Sequence, residues 1–314
     1  MKILVTGGFG YIGGRIVKHL LEKGHEIRIC TSRQKEKYPI WSSKVEVMQA
    51  SLSLDSDLEK LCNEVDVVIH LAAMNEIKSN RDPLGAVKVN CVNTLKLLLI
   101  AEKHKVTRFL YLSTAHVYKT PLVGLIDENT IVRPSNPYAF THRAAEDYVL
   151  SFNDYNRVEG VVIRLSNGFG APWDAGIDRW NLVVNNLCKQ SVETGKLVLK
   201  SSGRQERNFV TLKDVARGVE HLMKLLKKDL GDAIYNLGGE CSYSIYDMAA
   251  IIAGRCEIIL GFRPPIEHPK PKEGENHDVL DFSVKKIKAT GFKFQGKLEE
   301  EIDATLLLCN KAFG

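Results

Sequence analysis

The run Lys2-Ile3-Leu4-Val5-Thr6-Gly7-Gly8-Phe9-Gly10-Tyr11-Ile12-Gly13 constrains this chain more than any other. A short apolar stretch meets a glycine-rich turn. Helical spacing begins directly after it, with Ile12, Ile16, Leu20 and Leu21 apolar up to Lys23. Gly7, Gly10 and Gly13 satisfy G-x-x-G-x-x-G, and Gly8, Gly10 and Gly13 satisfy G-x-G-x-x-G. Such glycines permit a tight turn, close approach of a pyrophosphate and close packing of helix on sheet. The free N–H groups of the following helix then face the phosphate charge. A strand before and a helix after give a glycine motif its meaning as a dinucleotide loop. Gly7, Gly10, Tyr11, Ile12 and Gly13 are therefore expected at a cofactor.

The alternation continues for about 165 residues. Strands are predicted at 26–30, 45–48, 66–71, 108–112 and 160–164, with a long helix over 84–104 and another carrying Tyr138. Alternating β and α elements predict an α/β fold, a doubly wound parallel sheet of the Rossmann type. After Asn167, prolines and glycines from Pro172 to Pro271 break the pattern, leaving clear helices only at 212–228, 244–256 and 298–311. The expected organisation is a Rossmann domain over 1–166 that includes the catalytic residues. A smaller α+β substrate-binding lobe follows over 167–314, some of whose segments return to the sheet.

With 44% hydrophobic and 26% charged residues, the composition is that of a soluble globular protein. The net charge of +5 is spread rather than blocked, so no nucleic-acid footprint is expected. The seven cysteines form no C-x-x-C pair and no zinc spacing, which predicts free thiols in a reducing cytoplasm and no metal site. No secretory leader pattern and no apolar stretch of membrane-spanning length is read, so neither membrane contact nor export is expected.

The end of the second strand bears on cofactor choice. Sites for NAD place a carboxylate there to bind the ribose hydroxyls. This chain reads Cys30-Thr31-Ser32-Arg33-Gln34-Lys35, and the first acid is Glu36. Two hydroxyls and a guanidinium suit a 2′-phosphate, so Thr31, Ser32 and Arg33 favour NADP(H), with NAD(H) still possible.

The fifth strand ends Leu112-Ser113-Thr114-Ala115-His116-Val117-Tyr118, and Asn136-Pro137-Tyr138-Ala139-Phe140-Thr141-His142 follows some twenty residues later. Further pieces are His70-Leu71-Ala72-Ala73, Asn90, Arg164-Leu165-Ser166-Asn167 and the stretch from Arg207 to Asp214. With the glycine loop, these strongly resemble the extended short-chain dehydrogenase/reductase family, in its nucleotide-sugar epimerase/dehydratase/reductase branch. The similarity spans nearly the whole chain.

The resemblance implies that Thr114 orients a substrate carbonyl and that Tyr138 exchanges its proton. Relatives carry a Lys four residues after the Tyr, which favours the phenolate and holds the nicotinamide ribose. Here His142 stands at that place, on the same helix face. Its charge is conditional, since an ordinary His titrates near pH ~6.5. The expectation is that His142 holds the ribose and that proton transfer survives in weaker or more pH-dependent form. Arg143 is out of phase for the role. In related 4,6-dehydratases an Asp-Glu pair follows the Thr. Ala115 and His116 replace it, which disfavours water elimination and leaves His116 as a candidate substrate-side base or hydrogen-bond donor.

The same resemblance puts Ser51, Leu52, Leu71, Ala72, Ala73 and Asn90 at cofactor positions. It puts Asn167, Asn181, Leu182 and Arg207 against a nucleoside-diphosphate sugar. Phe9 and Trp180 are read as shaping the nicotinamide and sugar sites. Lys270 and Lys272 are read either as phosphate ligands or as solvated surface. A homodimer is expected through the long helix and the Tyr138 helix, with Leu97, Ile100 and Tyr148 as candidates. The functional expectation is NADPH-dependent reduction of a 4-keto nucleotide sugar. The alternatives are a 4-epimerase with bound NAD and a catalytically weak NADP(H)-binding protein.

Overall fold

The computed structural model describes residues 1–174, 176–275 and 279–314. The first half alternates strands β1 (Lys2–Thr6), β2 (Glu26–Thr31), β3 (Glu46–Gln49), β4 (Val67–His70) and β5 (Arg108–Thr114) with helices α1 (Tyr11–Glu22), α2 (Asp55–Cys62), α3 (Glu76–Arg81), α4 (Pro83–Ala86) and α5 (Asn93–Lys103). A π-wound stretch, Val87–Val92, joins α4 to α5 without a break. Then come β6 (Gly124–Ile126), α6 (Pro137–Asp154), β7 (Glu159–Leu165), β8 (Asn167–Phe169), α7 (Val183–Thr194), β9 (Leu197–Val198), β10 (Glu206–Thr211), α8 (Leu212–Lys224) and β11 (Ile234–Leu237). The chain closes with β12 (Ser242–Ser244), α9 (Ile245–Leu260), β13 (Ile266–Glu267), β14 (Leu280–Phe282), α10 (Lys285–Ala289) and α11 (Leu298–Phe313).

Seven strands make one parallel sheet in the order β11-β7-β5-β4-β1-β2-β3. The strand order reverses at β1, so a crevice opens beyond the carboxyl ends of β1 and β4, where ligands bind in open α/β sheets. Strand alternation decides what each face buries. Ile3 and Val5 enter a core shared with Ile16, Val17 and Leu20 of α1 and Val215 and Val219 of α8. Leu4 points the other way, into a core with Leu97, Leu98 and Ala101 of α5 and Val149 and Phe152 of α6. Because both faces are covered, β1 and β4 read as unbroken apolar runs. A third core joins α7, α9 and α11 in the C-terminal half.

The elements depart from the sequence reading in three places. The seventh strand, β11, is absent from the strands predicted above, though a return of later segments to the sheet is expected; it comes from beyond residue 230 and pairs with β7. Helix α9 runs four residues past Cys256, to Leu260, and is stopped by Gly261 at φ +80°, a conformation that suits glycine. The third departure is the continuous helical run Pro83–Lys103. At 21 residues it is long and apolar enough to cross a membrane by length and composition, contrary to expectation. Leu97, one of the residues considered for an interface, is fully buried. Leu84, Val87, Val92 and Leu99 are the exposed apolar residues on that run, and Tyr148 is exposed on α6.

Candidate active site

A cavity of about 490 Å³ lies at the switch point, and its walls come from both halves of the chain. Gly7, Gly10 and Gly13 form one wall with Tyr11 and Ile12. Gly7 has φ +72°, and a side chain on Gly13 would place Cβ 2.2 Å from the Gly7 carbonyl oxygen. The glycine turn therefore excludes side chains for backbone reasons, which brings the N-terminus of α1 to the cavity. Leu71 and Ala73 line it from the loop after β4, and the Ala72 backbone packs against Gly7. Ser166, on the same cavity wall, has a buried hydroxyl with no partner among the described residues. A glycine cradle at a helix N-terminus and an unsatisfied hydroxyl suit a dinucleotide.

The other cofactor candidates lie outside this lining. Thr31 is buried at the end of β2, and its hydroxyl accepts from the Arg33 N–H at 3.1 Å. The Arg33 guanidinium donates to the Phe9 carbonyl at 3.2 Å, which holds it beside the glycine turn, and Ser32 is exposed. Ser51 donates its N–H to Asp57 and shares a hydroxyl contact with Ser53, while Leu52 packs on the second core. Asn90 does not reach the cavity. Its oxygen accepts from the Met74 N–H at 2.7 Å and its NH₂ donates to the Thr141 hydroxyl at 2.9 Å. It thus ties the loop after β4 to α6 from within a π-wound stretch, a feature common near functional sites.

Thr114 ends β5 and Tyr138 opens α6. Asn136 caps α6 by accepting from the Ala139 N–H at 2.9 Å, with Pro137 in the first helical position. Behind them, α6 is fastened to β5 and β7 by a buried ion pair: Arg164 donates to Glu146 at 2.8 Å, and Ser113 donates to the same carboxylate at 2.6 Å. Burial raises the Tyr138 phenol above its usual range. A hydrogen bond with Thr114 pulls it down, the Glu76 charge raises it and the Arg179 charge lowers it. Thr114, His116, Tyr138 and His142 all line the cavity.

His142 does not supply the charge that a Lys would. It is buried, and burial pushes its imidazole down to about 4. Its Nδ1 lies 2.8 Å from the Tyr138 carbonyl oxygen, so the neutral ring carries its proton there and Nε2 is left as an acceptor. The His142 ring packs on Tyr138 with centroids 4.2 Å apart. Burial also lowers His116, as does the Arg207 charge, while the Glu76 charge raises it.

Asn167, Asn181, Leu182 and Arg207 reach the cavity. Phe9 and Trp180 do not. Phe9 is buried among Tyr38 and Trp41, and Trp180 packs edge-on against Phe313 at 5.1 Å. Lys270 and Lys272 are exposed and outside the lining. Sequence reasoning missed Glu76, Arg179 and the cavity-lining role of Ser166. Glu76 follows the His70-Leu71-Ala72-Ala73 segment by three residues, at a helix start that the Asn75 cap signals. Arg179 sits in a segment without periodicity, where no sequence signal points to it. Among the described residues, neither Arg179 nor Arg207 pairs with a carboxylate, and Arg207 has only Gln205 at 3.4 Å.

The model of the NAD dependent epimerase/dehydratase family matches residues 3–238. The chain belongs to that family. It is 26% identical to UDP-glucose 4-epimerase of Rhizobium leguminosarum bv. trifolii, over 96% of this chain and 94% of the relative. It is 29% identical to human dTDP-D-glucose 4,6-dehydratase, over 79% of this chain and 72% of the relative. Among solved structures, UDP-glucose 4-epimerase of Thermus thermophilus in complex with NAD superposes with a TM-score of 0.79, at 25% identity, over 99% of this chain and all of the other. Membership of the family accounts for the glycine turn and the seven-stranded sheet together.

Proposed function

We propose that the protein is a nucleotide-sugar 4-epimerase working with bound NAD. The observation that carries this reading is the meeting, in one cavity, of the glycine turn, the Thr114 and Tyr138 hydroxyls and two arginines that pair with no carboxylate among the described residues. Relatives named as 4-epimerases, and a structural neighbour described with NAD, support it over the reductase reading drawn from the sequence. Bound NAD would supply the hydride acceptor, and later the donor, at the sugar C4. The glycine turn would hold its pyrophosphate, with His142 Nε2 available to accept from a ribose hydroxyl.

Tyr138 takes the proton from the sugar O4 as C4 becomes a ketone, and returns it after the ring has turned over and C4 has been reduced on its other face. Thr114 hydrogen-bonds the same oxygen. With His142 neutral, the phenolate depends on Thr114 and on the positive field of Arg179. Arg207 and Arg179 take the phosphates, where a guanidinium fork fits paired oxygens. Ala115 and His116 do not supply the acid and base pair that elimination requires, so a 4,6-dehydratase is disfavoured.

One observation favours a second reading. No acid stands at the end of β2, the first being Glu36, and Arg33 is held beside the glycine turn at Phe9, an arrangement suited to a 2′-phosphate and hence to an NADPH-dependent 4-keto reductase. The two readings separate on the purified protein. An epimerase releases NAD on denaturation and equilibrates UDP-glucose with UDP-galactose, keeping a deuterium placed at C4 and needing no added cofactor. Stoichiometric consumption of added NADPH with a 4-keto sugar nucleotide, and no equilibration, would overturn the epimerase reading.

A further inference from the structure

Glu76 is the acidic side chain on the cavity wall, among the described residues. It opens α3, and its Oε1 accepts from the Asn136 NH₂ at 3.2 Å. Asn136 is also the residue that caps the Tyr138 helix, so the carboxylate is tied to the turn that presents Tyr138. No cation pairs with Glu76 among the described residues, and its Oε2 has no partner there. Its negative charge is felt at three other lining residues: it adds to the burial that raises Tyr138, and it opposes the burial that lowers His116 and Arg207. The cavity is therefore bipolar. Arg179 and Arg207 bring positive charge, felt at Tyr138 and His116 respectively, while Glu76 sets a carboxylate against the same two groups.

A structural reading of Glu76 is weaker. The α6 cap is complete through the Asn136 oxygen, and α3 is capped by Asn75, which accepts from the Lys78 N–H at 3.0 Å. Neither cap needs the Glu76 side chain, which is itself exposed to the cleft. A carboxylate without a cation partner attracts hydrogen-bond donors and repels anions.

We propose that Glu76 determines sugar specificity: it selects nucleotide sugars that carry hydroxyl or amine donors near the reacting carbon and rejects those that carry a carboxylate there. The inference rests on the nucleotide-sugar reading above and deepens it. A free Oε2 can accept from a hydroxyl or an ammonium, whereas a sugar carboxylate placed against it would meet like charge. Exclusion by an unfavourable contact is a common source of selectivity.

The test compares UDP-glucose with UDP-glucuronic acid, which differ in carrying a hydroxymethyl or a carboxylate at C6. Both are assayed as competitors of UDP binding and as substrates, in wild type, Glu76→Gln and Glu76→Ala. Gln keeps an oxygen to accept from Asn136, so the fold around Tyr138 is preserved. Wild type is expected to prefer UDP-glucose by at least about tenfold, and Glu76→Gln to narrow that preference by at least about tenfold, mainly through tighter uronate binding. An unchanged preference in Glu76→Gln and Glu76→Ala, with UDP still bound, would overturn the role of Glu76 and leave the proposed function standing. If wild type binds neither UDP nor either sugar nucleotide, the nucleotide-sugar reading fails, and this inference fails with it.

Discussion

Two walls of the same cavity are built in different ways. The wall formed by Gly7, Gly10 and Gly13 is backbone, and the geometry of that backbone leaves no room for a side chain. The wall that faces the substrate is made of side chains from separate segments: Glu76 after β4, Thr114 and His116 after β5, Arg179 and Asn181 before α7, and Arg207 on β10. A backbone wall cannot drift without loss of the turn. A side-chain wall can exchange Lys for His, or carry a Glu, while its scaffold stays the same. On the function proposed above, the difference teaches that cofactor binding is fixed by the fold, whereas chemistry and selectivity are set by individual side chains.

The most severe way to break that comparison is at the glycine wall. Gly13→Val should abolish NAD binding measured by calorimetry, because even the first side-chain carbon would lie against the Gly7 carbonyl. Near wild-type binding in a folded variant would show that the turn is not rigid. On the other wall, Tyr138→Phe should leave UDP binding intact and cut turnover by roughly 100-fold to 10,000-fold, the range for loss of a general acid–base group. Turnover within a few-fold of wild type would remove Tyr138 from the proton path.

The smallest effect concerns the substituted position. His142 and His70 sit at about 4 and about 3, below the ordinary 6.5, because burial disfavours the imidazolium. Neutral rings are the folded form, so their contribution to stability is complete above about pH 6.5 and is lost as the pH falls toward those values. Melting temperature should decline over that range, and the decline should be shallower in His142→Gln, by roughly 2–3 °C at pH 4.5. His70 stays wedged between the Thr6 and Thr94 hydroxyls and keeps its share of the effect. Equal slopes in the two proteins would mean that His142 is charged in the fold.

Much of this was legible in the chain. The apolar run, glycine turn and helical spacing over 2–23 led to β1, the turn and α1 within a residue or two, because each is fixed by local chemistry. Thr114, Tyr138 and His142 were found through spacing within single elements and through family resemblance. The pairing of β11 with β7 was not placed, since a four-residue strand far along the chain carries no sign of its neighbour. Phe9 and Trp180 were read as ligand-facing because their chemistry allows it, but packing turned both away.

The sequence alone determined the fold class, the glycine turn and which residues could exchange a proton, since these depend on period, backbone freedom and functional-group type. Tertiary structure decided the rest. It buried His142 until the imidazole lost its charge, tied Glu76 to the cap of the Tyr138 helix through Asn136, and left Arg179 and Arg207 facing the cavity with no carboxylate partner among the described residues. Desolvation and the distance between charges arise only when remote segments meet. A group's charge state and field therefore belong to the folded molecule.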